Sequence, residues 1–187
     1  MRGLVQSRFL SAALGALLLA VLAVLGIAMA QGVGGLQEGR TDGDLGIPPD
    51  FSLQRFDGER FVLQEYAGQP VFLYFWASWC IPCEEEAPLI EALWPEYRER
   101  GWMFLGVNIW DREEDARHFI ERHGLTFPLA RDEEGEVYLE YGVQGLPTAF
   151  FIAPGPQMYA RYDGLLSEEK LRGLLDEVVQ DDLMGPG

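Results

Sequence analysis

Two continuous apolar runs constrain the fold of this chain more than any other feature. They are VFLYFWA at residues 71–77 and WMFLGVNI at residues 102–109. Runs of this length without charge are typical of strands buried on both faces of a sheet. Apolar residues at helical spacing follow each run, namely Ile90, Leu93, Trp94 and Tyr97 after the first and Ala116, Phe119 and Ile120 after the second. Strands that alternate with helices in this way predict an α/β domain.

Local patterns predict the shorter elements. Residues 51–63 alternate between apolar and polar and carry Asp57–Gly58 at their centre, which predicts a β-hairpin. The sequence also predicts a strand at 126–130 and a short helix at 136–141. Residues 148–153 and 158–164 are expected to form a second hairpin.

Residues typical of helix ends predict where the helices start and where they are disturbed. Asp111 and Glu114 have the spacing of a capping box, and Ser167 is expected to cap the last helix. Pro88 and Pro95 are expected to kink or interrupt the helix that follows the first strand.

The N-terminal region has the pattern of a membrane anchor. Residues 9–30 carry no charge, and about 20 apolar residues are enough to cross a bilayer as a helix. Two arginines lie within residues 1–8, and the next Lys or Arg is Arg40, so the positive-inside rule leaves residues 1–8 in the cytoplasm. We therefore expect a single-pass signal-anchor whose following domain lies outside the cytoplasm. The alternative is a signal peptide cleaved near Ala30, which would give a secreted domain.

The rest of the chain divides by composition. Residues 31–48 are rich in Gly and polar residues, which predicts a flexible linker. Residues 49–182 contain the predicted strands and helices and are expected to form one domain, followed by a tail at 183–187.

The charge excludes one class of partner. The formal net charge is −16, whereas proteins that bind nucleic acid meet its phosphates with Lys and Arg. We expect no nucleic-acid binding, and we attribute the excess of acidic residues to solubility.

Both cysteines of the chain, Cys80 and Cys83, lie in the stretch FWASWCIPCEEEAP. A zinc site needs about four ligands, and His118 and His123 lie on another predicted helix far along the chain. Covalent haem attachment needs His directly after the second cysteine, where this chain has Glu84. A purely structural bridge that closes so small a loop would stabilise the fold little. We expect neither metal nor cofactor.

Redox exchange fits the cysteine pair better. Cys80 follows a buried strand and precedes a helix, so its sulfur is expected to meet the free amides and the positive end of the helix dipole. This position lowers the pKa of a thiol and makes Cys80 the nucleophile. Cys83, one helical turn later, is placed to resolve a mixed disulfide. Pro82 suits the first turn of a helix.

The cysteine stretch resembles the active site of thioredoxin-like proteins, and GLPT at residues 145–148 resembles their cis-proline loop. The resemblance spans roughly residues 49–179. It implies a thioredoxin-like fold, in which helices flank a central mixed sheet. It also implies that Pro147 is cis and faces the cysteines, and that the backbone of Leu146 is free to pair with an extended substrate.

Within this superfamily, the chain resembles the membrane-tethered branch typified by TlpA, ResA and DsbE. The resemblance rests on the N-terminal anchor, the leading hairpin, the inserted strand-and-helix stretch at about 111–141, and the pattern C-x-x-C-x-x-E-x-P, formed here by Cys80, Cys83, Glu86 and Pro88. It implies a monomeric reductase of disulfides in exported proteins, notably apocytochrome c, which a membrane thiol-transfer protein recharges with electrons.

Two positions near the cysteines remain open to more than one interpretation. Thioredoxin has a buried Asp where this chain has Tyr74, so another group or a water must move protons here. Glu86 is a candidate for proton transfer or partner contact, or is only a favourable carboxylate near a helix start. Trp79 is expected to contact substrate beside the reactive sulfur, and Trp94, Trp102 and Trp110 are expected to pack in the core or at its rim.

Three alternative functions remain. A peroxidase of the peroxiredoxin type would usually have Thr at the position of Ala77. A dithiol oxidase would donate disulfides with the same cysteine pair. A non-catalytic binding or chaperone module would retain the fold, although it would not need both Cys80 and Cys83.

Overall fold

The computed structural model describes residues 15–23, 39–41, 45–155 and 157–184. The chain divides into two compact units, residues 1–35 and 36–187. In the first unit, residues 15–23 form a helix, α1. They lie inside the predicted anchor 9–30, whose other residues fall outside the described ranges, as do residues 1–8. No helix within the described ranges is both long and apolar enough to cross a membrane.

The second unit contains a sheet in which, among the described residues, eight strands are hydrogen-bonded in the order β1-β8-β7-β4-β5-β6-β2-β3. The strands are β1 (Gly39–Thr41), β2 (Ser52–Arg55), β3 (Arg60–Val62), β4 (Val71–Trp76), β5 (Met103–Ile109), β6 (Leu129–Asp132), β7 (Thr148–Ala153) and β8 (Gln157–Asp163). β4 and β6 run parallel to β5, which lies between them, and all the other pairings are antiparallel. The sheet is therefore mixed, as expected.

The helices of this unit are α2 (Ile81–Glu99), α3 (Glu113–His123), α4 (Glu136–Glu140) and α5 (Glu168–Met184), with a short 3₁₀ turn at Leu63–Tyr66. Successive residues of a strand point to opposite faces. Accordingly Phe72, Tyr74 and Trp76 of β4 belong to a core with residues of α2, α3 and α5. Leu73 and Phe75 belong to a second core, with residues of α4 and the leading hairpin. Two cores explain why the run 71–77 contains no charged residue.

Several predicted elements are confirmed. β2 and β3 form the hairpin around Asp57–Gly58, and β7 and β8 form the second hairpin. The short helix α4 lies where it was expected. Ser167 caps α5, because its hydroxyl accepts a hydrogen bond from the Lys170 N–H at 3.3 Å.

Three expectations about local structure need correction. β6 starts at Leu129 rather than at residue 126, because Pro128 has no N–H for the ladder. α2 is continuous across Pro88 and Pro95, because its apolar face is buried throughout and this burial offsets the lost backbone bonds. The capping box is wrong: α3 begins at Glu113 with Arg112 as its N-cap, and no side chain caps it.

Part of the predicted linker 31–48 is ordered structure. Residues Gly39–Thr41 form β1, which pairs with Arg161–Asp163 of β8. An edge strand pairs through backbone groups that every residue carries, so Gly and polar residues can extend a sheet without an apolar pattern. The sheet therefore includes residues before the predicted domain start at 49.

Candidate active site

Cys80 and Cys83 are joined by a disulfide bond at the start of α2. Cys80 is the N-cap residue, and its Sγ accepts a hydrogen bond from the Cys83 N–H at 3.2 Å. Pro82 occupies the first turn of the helix, where a missing N–H leaves no helical bond unmade. Cys80 is 5% exposed and Cys83 is 0% exposed, and of the two only Cys80 lines the groove at this end of the sheet.

The fold brings Cys80 to the carboxyl end of the sheet. β4 ends at Trp76, and a turn closed by the Cys80 N–H on the Ala77 carbonyl, at 3.2 Å, leads into α2. The neighbouring parallel strand β5 ends beside it, with Asn108 in register with Trp76. The loops after β4 and β5 therefore leave the sheet side by side.

A third loop faces the cysteines. The Leu146–Pro147 peptide bond is cis, as the resemblance implied. The Thr148 hydroxyl lies 2.9 Å from both the Gly145 carbonyl and Oδ1 of Asp163, and the Gly164 N–H donates to the Pro147 carbonyl at 2.9 Å. These bonds hold the loop against β8, with Leu146 on the same groove as Cys80.

The groove at Cys80 has a volume of about 410 Å³, and its wall is largely apolar; it is lined by residues that include Trp79, Cys80, Ile81, Pro82, Trp110 and Leu146. Trp79 and Trp110 are 56% and 55% exposed. We call these two exposed tryptophans the rims of the groove. The Trp79 Nε1–H donates a hydrogen bond to the Trp110 carbonyl at 3.3 Å, which joins one rim to the other. Trp94 and Trp102 are buried in the core.

Trp110 is a site residue that the sequence analysis missed. It directly follows β5, and its φ of 49° lies in the left-handed region that few residues other than glycine adopt. Its ring packs against Tyr138 with the centroids 4.6 Å apart. Its position directly after a buried parallel strand was the one sequence signal that could have identified it.

Glu86 lies on the buried side of α2, one turn after Cys83. The side chain is 1% exposed, and Oε1 accepts a hydrogen bond from the Leu166 N–H at 2.8 Å. Burial raises the pKa of Glu86 to about 7, and the Leu166 bond and the Tyr74 hydroxyl only partly oppose that rise. Burial, and then the charge of Glu86, raises the pKa of Tyr74 well above its ordinary value. Oε2 of Glu86 and the Tyr74 hydroxyl are both buried and near enough to affect each other's pKa, although no hydrogen bond of ordinary geometry joins them.

The first two glutamates of the EEE run are more exposed than Glu86. Glu84 forms an ion pair with Arg122 of α3 at 3.0 Å. This contact ties α2 to α3 at the surface. Of the three glutamates, only Glu86 lies in the buried core beneath the cysteines.

A mixed sheet whose central strand leads through a CxxC disulfide into a helix, opposite a cis-proline, is the arrangement of a thioredoxin-like thiol–disulfide oxidoreductase. Comparison with known proteins makes the assignment more specific. Residues 47–159 match the model of the AhpC/TSA family. The chain belongs to that family and, within it, to the TlpA/ResA/DsbE type of thiol–disulfide oxidoreductases.

Relatives and solved structures agree with this assignment. The thiol-disulfide oxidoreductase ResA of Geobacillus thermodenitrificans is 37% identical over 130 residues, which cover 70% of this chain and 75% of the relative. A structure described as the thiol:disulfide interchange protein DsbE of Chlorobium tepidum has a TM-score of 0.68 at 30% identity, covering 74% of this chain and 98% of the other. StoA from Bacillus subtilis has a TM-score of 0.60 at 26% identity, covering 68% and 97%. The protein is accordingly a protein-disulfide oxidoreductase.

Proposed function

We propose that this protein is an extracytoplasmic reductase of protein disulfides that works through the pair Cys80 and Cys83. The observation that carries the proposal is the placement of Cys80 Sγ at the N-terminus of α2, within hydrogen-bond distance of the Cys83 N–H. Helix N-termini stabilise anions, so the same position favours the Cys80 thiolate in the reduced protein. A stabilised and accessible thiolate is the species that attacks a disulfide.

The exchange proceeds in two displacements. The Cys80 thiolate attacks one sulfur of the client disulfide, which forms a mixed disulfide and releases the second client sulfur as a thiolate that takes up a proton. Cys83 then loses its proton and attacks Cys80 Sγ, which forms the Cys80–Cys83 bond and releases the client's remaining sulfur as a thiolate that takes up a proton. Two electrons pass from the cysteine pair to the client. The complete burial of Cys83 supports its role as the resolving cysteine.

Glu86 is the proposed acceptor of the Cys83 proton. It follows Cys83 by three residues on α2, so both side chains lie on one face of the helix, and both are buried. A group whose pKa is about 7 can accept and return a proton at neutral pH. Glu86 would thus supply the carboxylate that thioredoxin carries at the position of Tyr74, and the Tyr74 hydroxyl would be its neighbour.

The groove at Cys80 is the proposed client site. Trp79 and Leu146, the residue before the cis-proline Pro147, both line this groove with Cys80, so an extended client segment could pass over the Cys80 sulfur. The backbone of Leu146 would pair with that segment. Trp79 would contact the client's side chains beside its cysteine.

The proposed setting is the outer face of a membrane. Residues 9–30 would anchor the chain, with residues 1–8 inside and residues 31–38 linking to the domain. The predicted tail at 183–187 needs correction, because α5 extends to Met184. The charge pattern around the apolar run supports this orientation, and cleavage near Ala30 is the alternative. The clients would be exported proteins with disulfides, such as apocytochrome c, and a membrane thiol-transfer protein would return electrons to the monomer.

The test is to trap clients on a resolving-cysteine variant. Cys83→Ser in the full-length protein should accumulate mixed disulfides through Cys80 with exported proteins, because the second displacement is blocked. Cys80→Ser is the matched control and should accumulate none. Equal amounts of adduct on the two variants, or none on either, would contradict the assigned roles.

A further inference from the structure

The Asp111 carboxylate forms three hydrogen bonds at the active site, two to Ser78 in the loop after β4 and one to Asn108 near the end of β5. Oδ2 accepts from the Ser78 backbone N–H at 2.6 Å and from Nδ2 of Asn108 at 2.8 Å, and Oδ1 accepts from the Ser78 hydroxyl at 2.6 Å. Ser78 lies in the turn that leads from β4 to Cys80, and it precedes Asp111 by 33 residues. The side chain therefore bridges the loop after β5 and the loop that carries the cysteines.

The residues next to these contacts in sequence form the two rims of the groove. Trp79 follows Ser78, Trp110 precedes Asp111, and the Trp79 Nε1–H is bonded to the Trp110 carbonyl. The left-handed backbone at Trp110 is fixed between Asn108 and Asp111, which are bonded to each other. Gly135 has no Cβ to collide with the Trp110 indole, since a Cβ there would lie 2.8 Å from Nε1. Asp111 thus holds both rims in one arrangement.

We propose that Asp111 is a positioning residue for disulfide exchange with protein clients. Asp111 fixes the position of Ser78. Because Trp79 follows Ser78 directly, this contact also holds the Trp79 rim at a set distance from the Trp110 rim. The inference rests on the proposed function, in which Cys80 exchanges with disulfides of proteins. A protein segment must fit between both rims to reach Cys80 Sγ, whereas a small disulfide needs only an open path to the sulfur. Asp111 therefore acts on the choice of substrate more than on the sulfur itself.

The experiment compares two disulfide substrates, insulin as the protein and hydroxyethyl disulfide as the small molecule, with the reduced full-length protein. Asp111→Asn keeps the size of the side chain but turns one acceptor oxygen into an NH₂ donor that faces other donors. We expect the rate constant with insulin to fall about tenfold, since small misplacements at a reacting centre cost this much or more. With hydroxyethyl disulfide we expect a fall of about twofold.

The matched control is Glu91→Gln. Glu91 bonds to the N–H and the hydroxyl of Thr126 at 2.7 and 2.6 Å, the same pattern that Asp111 makes with Ser78 but outside the groove. This variant should keep both rates within about twofold. Ser78→Ala should lower the rate constant with insulin about threefold. If Asp111→Asn does not fold, the comparison of the two substrates is made with this variant instead. The double variant should be no slower than Asp111→Asn, because the two residues act through one contact.

Equal losses with the two substrates, or no loss with insulin, would overturn the proposal. Additive losses in the double variant would also overturn it. If the wild-type protein reduces neither substrate, the proposed function itself fails, and that result is distinct from one confined to the Asp111 and Ser78 variants.

Discussion

Oε1 of Glu86 accepts a hydrogen bond from the backbone N–H of Leu166, 80 residues further along the chain. The bond joins α2, which carries the cysteines, to the segment just before α5. It fixes one oxygen of a carboxylate that is buried near the Tyr74 hydroxyl. Ionisation of this group should therefore affect both stability and exchange.

The stability of the oxidised protein should depend on the charge of Glu86. Its pKa rises from 4.5 to about 7 on folding, so stability is fully present below pH 4.5 and is lost as the pH rises to about 7. The loss corresponds to about 3 kcal/mol at about 1.4 kcal/mol per pH unit. Glu86→Gln removes the charge and keeps an acceptor for Leu166. Between pH 4.5 and 7 the free energy of unfolding of the variant should therefore rise by about that amount relative to the wild-type protein. Denaturant unfolding across this range measures it, and parallel curves for the two proteins would contradict the prediction.

Glu86→Gln should also slow the second displacement. Without a carboxylate to take the Cys83 proton, the mixed disulfide should last at least about tenfold longer at pH 7, within the range of general-base effects. Rapid acid quench with a fluorescent disulfide peptide measures the lifetime. Glu91→Gln, on the same helix, is the control and should resolve at the wild-type rate. A similar lifetime in both variants would remove Glu86 from the mechanism.

Alkylation should separate the two cysteines. In the reduced protein at pH 7, iodoacetamide should modify Cys80 first, because Cys83 is completely buried. Cys80→Ser should therefore react at least about tenfold more slowly than Cys83→Ser, since a thiol reacts as an accessible thiolate. Mass spectrometry of timed samples gives both rates. Faster modification of Cys83 would reverse the assigned roles.

Asp163 should stabilise the loop that faces the cysteines. Its carboxylate accepts hydrogen bonds from Nε and Nη2 of Arg161, whose Nη1 also donates to the Gly142 carbonyl. Asp163→Ala leaves a partly buried guanidinium without its anion, and the free energy of unfolding should fall by about 2 kcal/mol. The Arg55–Glu59 pair offers a control, because Glu59 is exposed and Arg55 keeps Asp57 as a second partner, so Glu59→Ala should cost about 0.5 kcal/mol or less. Urea unfolding measures both, and equal effects would contradict the prediction.

The sequence was sufficient wherever the signal is local. The run 71–77 predicted a strand buried on both faces because alternate residues enter two different cores. The CxxC motif predicted a helix start at Cys80, and the resemblance at residues 145–148 implied the cis bond that the structure has at Pro147. In each case neighbouring residues determine the structure.

The sequence was insufficient where distant groups meet. Asp111 has the spacing of a capping box, yet its carboxylate accepts a hydrogen bond from Ser78, which lies 33 residues earlier. The burial of Glu86 depends on Leu166 and α5, which no pattern around the cysteines indicates. β1 pairs with β8 along the backbone, so its Gly and polar residues carry no apolar signal.

The reduction potential of the Cys80–Cys83 pair tests the proposed direction of electron flow most directly. Equilibration of the protein with dithiothreitol or glutathione mixtures, read by alkylation of free thiols, gives the value. A reductase should lie near or below the value of thioredoxin, about −270 mV. A value near that of the oxidant DsbA, about −120 mV, would contradict the account and make the protein a donor of disulfides.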